Sequence, residues 1–316
     1  MRPSILASLP DALGRIALAG AVVGAACVAY GVLIERTWYR RRVYRLPLLP
    51  AEVSGPVRVL HLSDLHLRSR ERRKLRFLSS LEQPDVAVLT GDLVGEPHAV
   101  ETVVDALRPL RGRLASYFVL GSNDYFLAQR PNYLVYLFGR THRRKGVPGR
   151  GPDLIRLLEA DGWVHLKNRK TELSSDGVRF EVLGLDDPHI YRQDLRVAPR
   201  QRPEEFGLAL VHSPDPAPEL AALGYRLILA GHTHGGQVRL PFVGALITNS
   251  YLPRRLCMGL VRLPPALMHV SPGMGQSRYA PFRFLARPEA TVLELVEGPA
   301  YPATTEPATT DRKTRS

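Results

Sequence analysis

Three short stretches decide how this chain reads: SDLH (63–66), TGDL (90–93) and AGHTHGGQ (230–237). Each follows an apolar run, VRVLHL (57–62), DVAVLT (85–90) and YRLILA (225–230). A short apolar run bounded by turn residues is the signature of a buried strand. Such a strand hands the residues at its carboxyl end to a loop, so converging strand ends bring distant side chains onto one point. Here those side chains are Asp64, His66, Asp92, His232 and His234. Carboxylate oxygens and imidazole nitrogens suit Mn, Fe, Zn or Co rather than a soft thiolate site.

The surrounding sequence alternates between strand and helix signals. Strands are expected at 57–62, 85–90 and 116–120, with helices over 70–81 and 98–107 between them. Further strands are expected at 179–185, at 207–211 delivering His212, and at 225–230 delivering His232 and His234. Short β runs at 258–263, 266–271 and 290–296 then replace the alternation. Parallel strands joined by helices place functional loops at the strand carboxyl ends, which predicts an α/β fold with its site there. Asp187 and His189, in LDDPH (185–189), either line the substrate side of that site or make an ordinary Asp-Asp-Pro turn. His61, His142, His165 and His269 read as satisfied surface residues. Arg283 and Arg287 either meet a phosphate or act as surface ion-pair partners.

Residues 16–34 form a run of nineteen without a charge, long enough to span a hydrocarbon core. A cleavable signal peptide is the alternative, but its apolar region is only about 7–15 residues long and ends at a small-residue cleavage site, which is not clear here. The run leads into ERTWYRRRVYRLP (35–47), where Trp38, Tyr39 and Tyr44 suit a membrane interface. Arg36, Arg40, Arg41, Arg42 and Arg45 follow the span, whereas Arg2 and Arg15 precede it. That asymmetry predicts a single-pass protein of the cell membrane with its catalytic domain on the cytoplasmic side.

The expected organisation is a tail (1–15), a transmembrane helix (16–34), a basic juxtamembrane linker (35–55), a catalytic domain (56–297) and a disordered tail (298–316) rich in Pro, Thr and charge. Residues 126–152 form a long insertion with a helix signal near 133–138, read either as a lid or membrane-facing lip or as a solvated basic loop. The net charge of +13 invites a nucleic-acid partner, but the arginines cluster at 36–45, 68–76 and 140–150 with no aromatic-interleaved or zinc-finger spacing. No nucleic acid is expected, and a membrane surface accounts for the first cluster. Cys27 and Cys257 are too few for a disulfide framework. Nothing in the sequence fixes an oligomeric state.

Taken in order, D-x-H, G-D, GSND (121–124), a lone His212 and G-H-T-H, the series resembles the calcineurin-like metallophosphoesterase superfamily. That superfamily's motifs run D-x-H, G-D, G-N-H-(D/E), H, G-H-x-H. GHTHGGQ, followed by VSPGMG (270–275) and FRFLARPE (282–289), looks most like its membrane-anchored bacterial branch, and the resemblance covers about residues 56–296. It implies a four-layer αββα metallophosphatase sandwich and a centre of two divalent metal ions, which in such sites lie about 3.5–4 Å apart. Asp92 is the expected bridge, because two adjacent cations need an anionic group between them. By motif position Asp64, His66 and His234 complete the first metal site, and His212, His232 and an amide oxygen the second.

GSND departs from the pattern. A gapless alignment puts Ser122 where the family has its metal-binding Asn and Asn123 where it has a His that positions the transition state or protonates the leaving oxygen. An Asn carbonyl is a good hard donor and a Ser hydroxyl a poor one. Asn123 is therefore the expected ligand after a small backbone adjustment. Either Asn123 also takes the catalytic-acid place, or another group gives the proton, or the leaving group needs none. Asp124 is expected to buttress a metal-ligating His. The resemblance implies direct in-line hydrolysis of a phosphodiester or pyrophosphate by metal-activated water, on a lipid-linked or membrane-proximal substrate. Two other readings are a metal-binding but catalytically silent membrane scaffold, suggested by GSND, and a nuclease of the same superfamily, suggested by the charge.

Overall fold

The motif-bearing strands are buried on both faces, which is why they read as nearly unbroken apolar runs. In the computed structural model, which describes residues 5–50, 55–127, 146–175, 177–276 and 279–298, they belong to two six-stranded sheets. The first sheet holds β1 (Arg40–Leu49), β2 (Val57–Leu62), β3 (Val86–Thr90), β4 (Ala115–Val119), β5 (Val164–His165) and β14 (Glu289–Glu297), in the order β1-β14-β2-β3-β4-β5. From β2 to β5 its neighbours run parallel, while β14 is antiparallel to β2 and parallel to β1. The second holds β6 (Arg169–Ser175), β7 (Val178–Gly184), β8 (Phe206–Leu210), β9 (Leu227–Ala230), β12 (Gly259–Leu263) and β13 (Ala266–Val270), in the order β12-β13-β9-β8-β7-β6. Its four central strands are parallel and its two edges antiparallel. A small hairpin, β10 (Arg239–Leu240) with β11 (Gly244–Ala245), stands apart.

Side chains alternate across each strand, so neighbouring residues feed different cores. Val59, Val88 and Val119 of the first sheet meet Val182, Leu208 and Leu229 of the second in a layer between the sheets. Leu60, Leu62, Leu89 and Phe118 point the other way, onto α2 (Arg72–Ser79), α3 (Val100–Leu107) and α5 (Gly151–Ala160). Leu183, Ala209 and Ile228 pack on α6 (Ala217–Ala222). Helix, sheet, sheet and helix layers make the expected αββα sandwich. Ahead of it stands α1 (Ile5–Leu33), whose apolar span Leu13–Thr37 is long and apolar enough to cross a membrane and is almost entirely unburied by the rest of the chain.

The first sheet begins earlier than the sequence suggests. Residues 40–49, expected as part of a linker, are the edge strand β1. Its arginines do not simply face headgroups: Arg40 and Arg42 both pair with the buried carboxylate of Glu289, at 2.7 and 3.0 Å, and Arg41 pairs with Glu82. Leu46, Leu48 and Leu49 enter the core between the sheets. Three of the five arginines that favour a cytoplasmic domain thus also have a structural use in the fold. Strand β6, helix α6 and helix α5 are likewise absent from the sequence reading; RKTELSS is a charged, largely exposed strand at a sheet edge, so it lacks an apolar run. The helix signal at 133–138, His142, the linker positions 51–54 and the tail beyond residue 298 lie outside the described residues.

Candidate metal centre

Asp64, His66, Asp92, His232 and His234 all have left-handed backbone, with φ of 48°, 39°, 52°, 67° and 51°. For residues other than glycine that conformation costs about 1–3 kcal/mol each and persists where the surroundings dictate it, most often at functional sites. Each of these residues lies just beyond a strand: Asp64 and His66 after β2, Asp92 after β3, His232 and His234 after β9. Asn123, in the short helix α4 (Ser122–Tyr125), follows β4, and His212 follows β8. Loops from both sheets therefore close on one place. Glycines make the approach possible, since a Cβ at Gly121 would fall on Asp92 Oδ1 and one at Gly231 on Ser63 Oγ.

The side chains meet in two groups. Asp64, His66 and His234 form one, with His66 Nε2 3.3 Å from His234 Nε2 and His234 Nε2 3.5 Å from Asp64 Oδ1. Asp64, Asp92 and His212 form the other, and His232 Nδ1 lies 3.3 Å from His212 Nε2. Asp92 faces both: its Oδ2 is 3.6 Å from His66 Nε2 and its Oδ1 3.6 Å from His212 Nε2. Asn123 donates its backbone N–H to Asp92 Oδ1 at 2.8 Å and its side-chain amide to Asp92 Oδ2.

This donor set fits divalent cations. Asp64 Oδ1 is buried with no hydrogen-bond partner among the described residues. His212 Nδ1 lies 2.6 Å from the Thr90 carbonyl, so a proton there leaves its Nε2 lone pair facing the cluster; His234 Nδ1 lies 3.2 Å from the Gly275 carbonyl and 3.4 Å from Arg283 Nη2, with its Nε2 turned to the cluster. His232 is turned the other way, its Nε2 3.2 Å from the Asn249 carbonyl and its Nδ1 inward. Burial drives the titration. It holds His66 down to about 4 and His234 well below its ordinary value, and it pushes Asp64 up to about 6. Burial also pulls His212 down, but the carboxylates of Asp92, Asp187 and Asp64 outweigh it and raise the ring to about 9. Burial would raise Asp92, yet His212, His66 and the N–H groups of Asn123 hold it below the usual carboxylate range. Three carboxyl groups, those of Asp64, Asp92 and Asp187, thus crowd the His212 ring, a charge balance that a bound cation would relieve.

A cavity of about 230 Å³ opens beside these groups, lined by His66, Asn123, Asp124, Arg150 and Tyr279 among others. A larger recess of about 470 Å³, lined by Leu48, Val178, Phe206 and Pro265, holds none of the cluster residues.

Several expectations are corrected by the geometry. Among the described residues Asp124 receives no hydrogen bond from a histidine ring: it accepts four backbone N–H groups, from Gly121, Asp92, Leu93 and Val94. Its work is to hold the Asp92 loop. Asp187 and His189 form the buried Asp-Asp-Pro turn, and neither lines the cavity of about 230 Å³. Asp187 Oδ1 accepts from His189 N at 2.8 Å, and the His189 ring lies 4.3 Å from the His232 ring, centroid to centroid. His61 and His269 are not at the surface but fully buried, 2.8 Å apart through their Nδ1 atoms, with His61 Nε2 2.8 Å from Thr90 Oγ1. His165 is buried as well, stacked on Phe118. Arg283 is neither a phosphate ligand nor a surface ion pair: it is fully buried and donates to the carbonyls of Pro272, Gly273, Gly275 and Ala286. Arg287 stacks on Trp38 at 3.8 Å. The carbonyls of Thr90, Asn249 and Gly275, which orient the rings, are backbone atoms without a side-chain signature in the sequence.

All seven candidate ligands, from Asp64 to His234, fall inside residues 57–236, the span matched by the sequence model of the calcineurin-like phosphoesterase family. The chain belongs to that family. Among the relatives of this metallophosphoesterase, the uncharacterized metallophosphoesterase YkuE of Bacillus subtilis is 30% identical over 258 residues, covering 78% of this chain and 82% of its own. The phosphodiesterase YaeI of Escherichia coli is 27% identical, covering 83% of this chain and 90% of its own. The UDP-2,3-diacylglucosamine pyrophosphatase LpxG of Chlamydia trachomatis is 25% identical, covering 81% of this chain and 88% of its own.

Proposed function

We propose that this metallophosphoesterase hydrolyses a phosphodiester or pyrophosphate bond in a lipid-linked or membrane-proximal substrate, at a centre for two divalent cations. The observation that carries the reading is the placement of Asp92, whose two carboxylate oxygens face His66 and His212 from opposite groups of donors. Asp64, His66 and His234 would hold one cation with Asp92; His212, His232 and Asn123 would hold the other with it. Bound cations of this kind lower the pKa of water, supply the nucleophile and neutralise phosphoryl oxygens.

The chain's own residues set the conditions for that chemistry. Thr90, Gly275 and Asn249 orient three rings through their carbonyls, and Asp124 pins the loop that carries Asp92. The Asn123 amide, now donating to Asp92, presents its carbonyl oxygen to the same place after half a turn about its terminal bond. An amide does not protonate a leaving oxygen as an imidazolium does. That favours leaving groups stable as anions, and a phosphate released from a pyrophosphate is one. LpxG is named for a pyrophosphatase activity and YaeI for a phosphodiesterase activity, and the apolar span of α1 supports a membrane-proximal substrate. The excess of arginines after that span supports a cytoplasmic domain.

The test is metal analysis of anaerobically purified protein coupled to turnover of lipid-linked pyrophosphates, lipid phosphodiesters and a soluble generic phosphodiester. Two metals per chain with lipid pyrophosphate cleavage is the expected result. Metal-loaded protein with no turnover on any of them would leave a silent scaffold. Salt-sensitive binding and cleavage of DNA would favour the nuclease reading instead.

A further inference from the structure

The turn between β10 and β11, Pro241-Phe242-Val243, follows a turn-forming proline with two bulky apolar residues where an exposed turn favours Gly, Asn, Asp or Ser. Phe242 is fully exposed, and it holds a left-handed φ of 64°, a costly conformation for an aromatic residue that no packing among the described residues repays. Val243 is 65% exposed, and Leu240 and Leu246 stand out on either side of the tip. A single exposed apolar residue needs no explanation, but a contiguous apolar tip on a strained turn does.

Two sets of contacts say where that tip lies. Strand β10 continues into a parallel bridge between Val238 and Phe284, with Arg239 N donating to Phe284 O at 2.9 Å and Phe284 N to Gln237 O at 3.0 Å. Residues 283–286 are in turn fastened to the end of α1. The buried Glu35 carboxylate accepts the N–H groups of Leu285 and Ala286 at 2.9 and 2.6 Å, and the Phe284 ring meets Tyr30 edge-on at 6.2 Å. The hairpin is thus tied to the helix where its apolar span ends, at Thr37. Around it lie exposed Arg254 and Arg255, the first donating to Leu246 O at 2.9 Å, and the half-exposed Trp38 under Arg287. Apolar tip, interfacial Trp and a rim of arginines match the layers of a bilayer with anionic headgroups.

We propose that the β10–β11 hairpin inserts its Phe242–Val243 tip into the same bilayer that α1 crosses, and so holds the metal centre at headgroup level. This rests on the anchoring role of α1 assumed above. The hairpin's other root is the ligand loop itself. Ala245 packs against Gly236, two residues after His234, and Asn249 turns the His232 ring. Insertion therefore bears on the loop that supplies two of the ligands, and a substrate phosphate in the headgroup layer reaches the centre without its lipid leaving the membrane.

The experiment uses the full chain in nanodiscs of phosphatidylcholine and phosphatidylglycerol whose acyl chains are brominated, which quench tryptophan on contact. In a Trp38→Phe background, with Trp163 buried and constant, tryptophan is placed singly by Leu18→Trp in α1, Phe242→Trp at the tip, and Leu114→Trp at the start of β4, the end of that strand opposite the metal loops. The expected result is loss of most of the introduced emission at 18 and 242, with emission at 114 unchanged. Quenching at 18 but not at 242 overturns the proposal while leaving the anchor intact; a blue-shifted, unquenched signal at 242 would show the tip covered by another protein or a second copy. No quenching at 18 overturns the anchor, and the hairpin proposal falls with it. Equal quenching at 114 would mean that the domain lies flat on lipid, which also overturns a specific insertion.

Discussion

Replacing Asp124 with Asn tests whether this residue holds the Asp92 loop or tunes a histidine. In the structure Oδ1 accepts from Leu93 N at 2.8 Å and Val94 N at 3.1 Å, and Oδ2 from Asp92 N at 2.8 Å and Gly121 N at 3.0 Å. All four partners are donors, so only the carboxylate form satisfies them, and they hold that form against burial and the Asp92 charge, which push the group up to about 7. Asn keeps one oxygen and turns its NH₂ toward the other two N–H groups. Two hydrogen bonds to a charged acceptor are lost, each worth about 1.5–3 kcal/mol, for a total of about 3–6 kcal/mol. Against a typical domain stability of about 5–15 kcal/mol, that is a large fraction. Denaturant unfolding of the metal-free full chain in detergent should show a clear drop in midpoint, and metal titration should show weakened binding because the displaced loop carries Asp92. An unchanged midpoint together with lost activity would refute this account and restore a role on a ligand ring.

Asp92→Asn should abolish hydrolysis and lower the metal content while leaving the fold largely intact; wild-type turnover with two metals per chain would remove Asp92 from the bridging position. Asn123→Ala should lose one metal and Ser122→Ala neither, and a reversed metal count would transfer the role to Ser122. Restoring the family pattern with Ser122→Asn and Asn123→His should raise the rate on poor leaving groups by up to about 10²–10⁴-fold, the usual worth of general acid catalysis. For pH, burial holds His61 and His269 below the ordinary 6.5, His269 at about 3, so the unfolded chain binds more protons than the folded one in that interval. Their contribution to stability is present above 6.5 and lost as pH falls toward 3, with a slope of up to about 1.4 kcal/mol per unit for each ring. A His61→Leu, His269→Leu double variant should show a shallower acid loss in metal-free unfolding, and an identical slope would show that these rings are not buried neutral. A reporter fused at the C-terminus should be active in the cytoplasm, whereas activity only outside it would reverse the orientation.

The strands that carry ligands were legible because burial on both faces leaves an apolar run that ends in rare residue types. Strand β1 was not, because its run of arginines resembles a headgroup-binding stretch until Glu289, 249 positions from Arg40, is seen to accept two of them. The His61 and His269 pair is hidden for the same reason, since the two rings satisfy each other across 208 positions. Each alone looks like an ordinary strand histidine. Asp124 and Arg283 show a different gap. Their partners are backbone N–H and carbonyl groups, which every residue has, so nothing in the sequence distinguishes a side chain that staples loops from one that serves a ligand.

GSND shows how far counting along a motif goes. The gapless alignment assigns the amide position to Ser122, but Gly121 is extended, with φ −108° and ψ 175°, and the chain turns into α4 immediately after it. The turn points the backbone N–H of the second residue past the glycine at Asp92 Oδ1, and the side chain of that residue, Asn123, follows it to Oδ2. Position 123, not 122, is therefore the one held against the proposed bridge. A ligand at 123 leaves the catalytic-acid place without an imidazole, and the residues that share the cavity with Asn123, Arg150 and Tyr279 among them, become the groups available to meet the leaving oxygen. Arg150 binds without giving up its proton, and it is already paired with Glu101 and Asp153. Under the proposed reading Arg150 stabilises a departing anion and the Tyr279 phenol is the one of the two that can protonate it, so a pyrophosphate, whose leaving phosphate needs no proton, depends on this cavity less than an alkyl phosphodiester does.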